Sequence, residues 1–230
     1  GAAVEAFKGR NNIRIVAMFP EGRISEVQRR FMTTAADANV ACLSVEGTFD
    51  DCQTIVKGLF GDEPFRQAVD LTGVNSINFA RIVAQAVYYF TAAVALGAPK
   101  REVAFCVPTG NFGDAFAGIA ATKMGLPSNG FVAAVNQNDA LARALNDGLY
   151  SRRPAVESGS VSMDVQAPSN FERLVFEATG RDADATRAVF ETFARDGTWA
   201  RDVQPVLAPW LARPPESHRL VPTARSALHA

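Results

Sequence analysis

The sequence predicts an α/β fold of mostly parallel strands with helices covering both faces. Three observations predict it. Short apolar runs alternate with helical patterns along most of the chain, as successive βαβ units require. Strand candidates such as Val103–Val107 and Phe131–Val135 are apolar throughout instead of alternating, which marks strands buried on both faces. One of them, Val103–Val107, runs straight through a glycine-bearing turn into a helix.

Taken in order, Gly1–Phe7 reads as a helix already under way. There is no initiating Met and no basic leader, so the start reads as a cut. Ile13–Phe19 is a β-rich run stopped by Pro20 and Gly22. Ser25 and Gln28 form a capping-box pair that opens a helix to about Asn39. Val40–Val45 is a second short strand, and Asp50–Gln53 caps a helix whose Ile55, Val56, Leu59 and Phe60 share one face. After a pause at Gly61–Pro64, a long helix is expected from Ser76 to Leu96. The strand Val103–Val107 then leads through Pro108–Asp114 into a helix to Met124, followed by the strand Phe131–Val135 and a helix over Asp139–Asn146.

Composition excludes more than it assigns. The 230 residues are 48% hydrophobic and 20% charged, with 23 basic and 24 acidic side chains and a net charge of −1. No excess of charge invites nucleic acid or an anionic membrane. No run reaches the roughly 18 uncharged apolar residues of a membrane span, and the longest candidate, Ile82–Ala98, is broken by Gln85. Cys42, Cys52 and Cys106 are odd in number and scattered, so reduced thiols in the cytoplasm are expected, with no metal site and no disulfide framework.

One turn carries chemistry. In Thr109–Asp114 a strand passes through glycines into a helix start, where N–H groups lack intrahelical partners and the helix dipole is positive. Gly110 and Gly113 permit close approach and positive φ, Asn111 offers an amide, and Thr109 a hydroxyl. The turn suits a phosphate or carboxylate; a purely geometric βα turn is the competing reading. It is neither GxGxxG nor a P-loop.

Pro108–Asp114 resembles the phosphate loop of threonine synthases, which use pyridoxal phosphate. Pro20–Ser25, Val45–Asp51, Asn75–Ile82, Met163–Val165 and Pro168–Arg173 resemble segments of that family in the same order. The resemblance implies the tryptophan-synthase-β-like class of pyridoxal-phosphate enzymes (fold type II), here incomplete. It implies part of a small mobile domain over residues 1–62 and part of the large cofactor-binding domain over 63–212. The implied reaction, the last step of threonine biosynthesis, converts O-phospho-L-homoserine and water to L-threonine and phosphate in the cytoplasm. Gly110, Asn111, Phe112, Gly113 and Asp114 would sit at the cofactor phosphate, the Asp114 carboxylate orienting loop N–H groups. Ser76, Asn78 and Arg81 would bind the substrate phosphate, although Ser76 also reads as a plain helix cap and Arg81 as a surface residue.

The family's Schiff-base lysine is expected upstream of Gly1. Lys8, Lys57, Lys100 and Lys123 all read as surface lysines, so no catalytic residue is assigned. From Arg213 the apolar periodicity stops, and 213–230 reads as an atypical tail outside the core. A displaced frame of suitable codons for Pro222–Ala227 spells His-Ser-Ala-Val-Gly, which resembles a family segment. An out-of-frame tail is therefore expected. A phospholyase of the same family, and a non-catalytic phosphate-binding or interaction chain, are the alternative functions. Oligomeric state is not legible, and uncovered sheet edges and apolar faces are expected.

Overall fold

The computed structural model describes residues 2–35 and 37–199, and the backbone of 220–224. The chain divides into two compact units, Gly1–Val74 and Asn75–Ala230. This division falls beyond the Gly61–Pro64 pause at which the sequence places its soft boundary, because a short helix after the pause packs back on the one before it.

The first unit runs α1 (Ala2–Phe7), β1 (Ile15–Pro20), α2 (Glu26–Thr33), β2 (Val40–Val45), α3 (Phe49–Gly61) and α4 (Glu63–Ala68). β1 and β2 pair in parallel from Ile15↔Val40 to Pro20↔Val45, with α2 as the crossover that parallel pairing needs. Ser25 caps α2 by accepting from the Gln28 N–H at 3.2 Å. The helix stops at Thr33, short of the expected Asn39. The Thr33 and Thr34 hydroxyls donate back to the carbonyls of Arg29 and Arg30 at 2.9 and 2.7 Å, which loosens the last turn. Asn39 instead ties the loop before β1, its amide donating to the carbonyls of Phe7, Arg10 and Ile13. The cap of α3 is Thr48, in a capping box with Asp51, two residues before the Asp50–Gln53 segment expected to cap it.

The second unit runs α5 (Phe79–Ala95), β3 (Val103–Pro108), α6 (Gly113–Lys123), β4 (Ser128–Val135), α7 (Ala140–Asp147), β5 (Tyr150–Ser151), a 3-10 turn (Val161–Met163), α8 (Phe171–Ala178), α9 (Ala183–Asp196), β6 (Thr198–Trp199) and β7 (Leu220–Ala224). β3, β4 and β7 form a parallel sheet in that order, so Pro108, Val135 and Ala224 end along one edge. Residues 220–224, which the sequence places in an atypical tail, form a strand paired with β4. The rest of the tail lies outside the described residues.

α5 starts at Phe79 under an Asn78 cap, not at Ser76. It buries Ile82, Ala86, Tyr89 and Ala93, a helical spacing that forms one stripe. Against it lies α6, apolar nearly all round as an interior helix should be. A Cβ on its Gly118 would come within 2.4 Å of Phe131 and 2.7 Å of Tyr89, so only glycine lets helix and sheet close to this distance. Tyr89, Phe105 and Phe131 pack ring on ring beneath it. The opposite face of α5 leaves Val83, Val87, Tyr88 and Val94 exposed.

Candidate functional site

The turn singled out by the sequence lies at the carboxyl end of β3, the edge where open parallel sheets bind ligands. Thr109 belongs to the scaffold. Its N–H donates to the Ala134 carbonyl at 2.7 Å and its hydroxyl to the Val107 carbonyl at 2.6 Å. It is therefore not the ligand-facing hydroxyl expected. Phe112, not a glycine, takes the left-handed conformation of the turn, with φ 63. Its ring is buried edge-on against Phe171 at 6.2 Å. That burial is worth about 1.5–3 kcal/mol, enough to offset a left-handed residue costing about 1–2 kcal/mol.

The glycines do a different job from the one expected. Neither Gly110 nor Gly113 has positive φ. What they lack is a Cβ. On Gly110 it would stand 3.0 Å from Met163 Cα, and on Gly113 3.0 Å from Ser76 Cβ and 3.4 Å from the Asn170 amide nitrogen. The turn is thus wedged between the 3-10 segment and residues 76 and 170. Phe112 contributes no side-chain cap, so among the described residues the first turn of α6 has no capping side chain at that position.

Ser76 is brought to this turn. Its Oγ accepts from the Asn111 amide at 3.0 Å and from the Asn170 amide at 2.7 Å. The Asn111 Oδ1 in turn accepts from the N–H and hydroxyl of Ser169, at 2.6 and 2.9 Å. The Asn111 side chain therefore braces the turn rather than reaching out from it. Asn78 caps α5, accepting from the Ala80 N–H at 3.0 Å, and Arg81 is exposed one turn along that helix. The structure thus gathers Ser76 with the loop and leaves Asn78 and Arg81 on the start of α5.

Asp114 sits in the first turn of α6 with Oδ1 buried and unpartnered among the described residues. Burial pushes the carboxyl above its ordinary range, opposed in part by Tyr89. The Tyr89 hydroxyl donates to the main-chain oxygen of Asp114 at 2.8 Å.

Two groups of residues in family-like segments had no role assigned from sequence. Asn170 and Arg173 link Ser76 to the loop: Arg173 Nε donates to Asn170 Oδ1 at 2.9 Å, and its terminal nitrogen donates to the carbonyls of Ser76 and Ile77 at 3.3 and 2.8 Å. Asn170 also stands at the cap position of α8 without capping it, its side chain being engaged elsewhere. Asp164 anchors the other side. Its carboxylate accepts from Asn136, Asn138 and both the N–H and hydroxyl of Ser158, at 2.6–3.0 Å, holding the 3-10 turn against Gly110.

All four lysines are exposed. Within the second unit, Lys100 precedes β3, and Lys123 ends α6 beside Glu177. The six residues of β3 separate Lys100 from the loop by about 20 Å. The eleven of α6 separate Lys123 from it by about 16 Å. Among the described residues, no His, Cys, Asp and Glu side chains gather as a metal-binding group, and no helix is long and apolar enough to cross a membrane.

No protein-family model matches the chain. The threonine synthase of Pseudomonas aeruginosa is 48% identical over 196 residues, covering 85% of this chain and 42% of that protein. That of Saccharomyces cerevisiae is 47% identical over 178 residues, covering 76% and 35%. The crystal structure of pyridoxal-phosphate-bound threonine synthase from Brucella melitensis superposes with a TM-score of 0.79 at 50% identity, covering 96% of this chain and 47% of the other. Yeast threonine synthase gives 0.75 at 37% identity. The chain spans less than half the length of the curated relatives it matches. Over that span, in sequence and in fold, the chain belongs to the threonine synthase family.

Proposed function

We propose that this chain forms the phosphate-anchoring part of a pyridoxal-phosphate-dependent threonine synthase, which converts O-phospho-L-homoserine and water to L-threonine and phosphate. The observation that carries the proposal is the uncapped start of α6, closed in by two glycines with no room for a Cβ and braced by Ser76, Asn111 and Asn170. The backbone of Gly110, Asn111, Phe112, Gly113 and Asp114 would hold the cofactor phosphate. When bound, the cofactor supplies an electron sink for the amino-acid substrate. Ser76, Asn78 and Arg81 would serve the substrate phosphate, Arg81 as an exposed cation and Ser76 as a fixed donor whose hydroxyl, beside the loop, can also face the phosphate held there. Cys42, Cys52 and Cys106 are free thiols, which supports a reducing, cytoplasmic setting.

The lysine positions argue that the chain binds without performing the covalent step. Lys100 and Lys123 stand at the far end of the sheet from the loop, Lys8 pairs with Glu5 at 2.8 Å, and Lys57 is exposed. The test is to titrate the chain with pyridoxal phosphate, compete with inorganic phosphate, reduce with borohydride and map peptides. Binding displaced by phosphate, with no single lysine modified and no phosphate released from O-phospho-L-homoserine, is expected. Absence of binding refutes the anchor. Selective modification of one lysine refutes the assignment of binding without chemistry.

A further inference from the structure

We propose that Arg173 is a positioning residue that, through Asn170, makes the Ser76 hydroxyl an obligate hydrogen-bond donor toward a phosphate at the start of α6. The proposal rests on the anion-binding reading of that loop.

The argument begins with groups that can only donate. The Ser169 main-chain N–H donates to Asn111 Oδ1 at 2.6 Å, so the NH2 end of that amide is the one facing Ser76. A guanidinium has no acceptor, and Arg173 Nε donates to Asn170 Oδ1 at 2.9 Å. The NH2 end of Asn170 therefore faces Ser76 Oγ at 2.7 Å and the Asn111 carbonyl at 3.1 Å; that carbonyl can only accept, which agrees with the orientation. Both amides are oriented by partners whose chemistry leaves no choice.

Ser76 Oγ thus accepts two hydrogen bonds. A hydroxyl has two lone pairs and one proton, so its remaining capacity is to donate. Among the described residues that proton has no acceptor, and the hydroxyl adjoins the open first turn of α6, where a Cβ on Gly113 would come within 3.4 Å of it. A ligand rich in acceptor oxygens satisfies this arrangement. A cation does not. Arg173 holds the other end as well, donating to the Ser76 and Ile77 carbonyls and lying 5.4 Å from the centre of the Phe79 ring. Its hydrogen-bond partners here are carbonyl and amide oxygens, which a planar fork reaches together and a lysine does not.

The test is a double-mutant cycle on the 230-residue chain, with inorganic phosphate as probe and calorimetry as readout. Ser76→Ala and Arg173→Met are each expected to weaken binding about tenfold, the loss of one hydrogen bond to a charged group. Because Arg173 acts through Ser76, adding Arg173→Met to Ser76→Ala is expected to change affinity by less than about twofold. A second full loss in the double variant overturns the relay, since a merely structural arginine would weaken the site whatever stands at position 76. Failure of the unsubstituted chain to bind phosphate brings down the anion-binding reading and the relay with it. Should Arg173→Met fail to fold by circular dichroism, Asn170→Leu takes its place in the same cycle with the same two outcomes.

Discussion

Replacing Gly113 by Ala separates the loop's role in folding from its role in binding. Alanine is the better helix former, by up to about 1 kcal/mol in a helix interior, and φ at this position is one that alanine adopts freely. Against that gain, the new Cβ would stand 3.0 Å from Ser76 Cβ and 3.4 Å from both Ser76 Oγ and the Asn170 amide nitrogen. Carbon atoms prefer about 3.5–4.0 Å, so Ser76 must retreat by about half an ångström. It cannot do so freely, because Arg173 holds the Ser76 and Ile77 carbonyls at 3.3 and 2.8 Å. The retreat instead stretches the bonds from Asn111 and Asn170, now 3.0 and 2.7 Å. Each is worth about 0.5–1.5 kcal/mol, so stability should fall by no more than about 2 kcal/mol after the helix gain. Phosphate affinity should fall about tenfold as the donor turns away. Urea unfolding and phosphate calorimetry on the same preparations read the two effects. A variant that is about 1 kcal/mol more stable and binds phosphate as before would refute the wedge argument.

Three more perturbations test the surrounding structure. Gly118→Ala drives a Cβ to 2.4 Å from Phe131 and 2.7 Å from Tyr89; overpacking should outweigh helix propensity and cost about 1–3 kcal/mol in urea melts, and a neutral result would mean that helix and sheet lie farther apart. Gly58→Ala, in α3 with nothing beyond its chain neighbours and its own helix backbone within 4 Å of the added Cβ, should gain about 0.5–1 kcal/mol; a loss in the urea midpoint would count against the helix there. Asp114 has its carboxyl raised by burial, so the native state holds its proton more tightly than the unfolded chain. The resulting stability is present below the unfolded-state value and is lost as pH rises through the folded-state value. Asp114→Asn should therefore gain on the parent chain as pH rises through that range; a difference independent of pH would show that burial of the charge is not what sets it.

How far the site could be read in advance depended on what each residue does. Strand and helix starts were legible where local chemistry decides them, as at Ser25 and along the apolar runs of β2, β3 and β4. The end of α2 was not, because the Asn39 amide, which the sequence places at the helix end, donates to three carbonyls before β1. The turn between β3 and α6 was legible from its glycines, but the reason for them was not. Glycine usually signals positive φ; here the crowding comes from Ser76, Met163 and Asn170, which only the fold brings near. Asn170 and Arg173 act across more than ninety positions of sequence. No periodicity or cap signal records such a contact, and Asn170 even occupies a cap position that it does not serve.

The turn at Phe112 has a consequence beyond the loop. Its left-handed backbone is kept in place by a ring set against Phe171, which meets Tyr150 at 4.8 Å, which stacks on Phe193 of α9 at 4.2 Å. Tension in this turn is thus moored by a chain of rings that runs from Phe112 to α9. A smaller ring at position 193 would slacken that mooring and register at the loop, although it touches nothing there. Sequence drift in α9 is accordingly answerable to the geometry of this turn as well as to local packing.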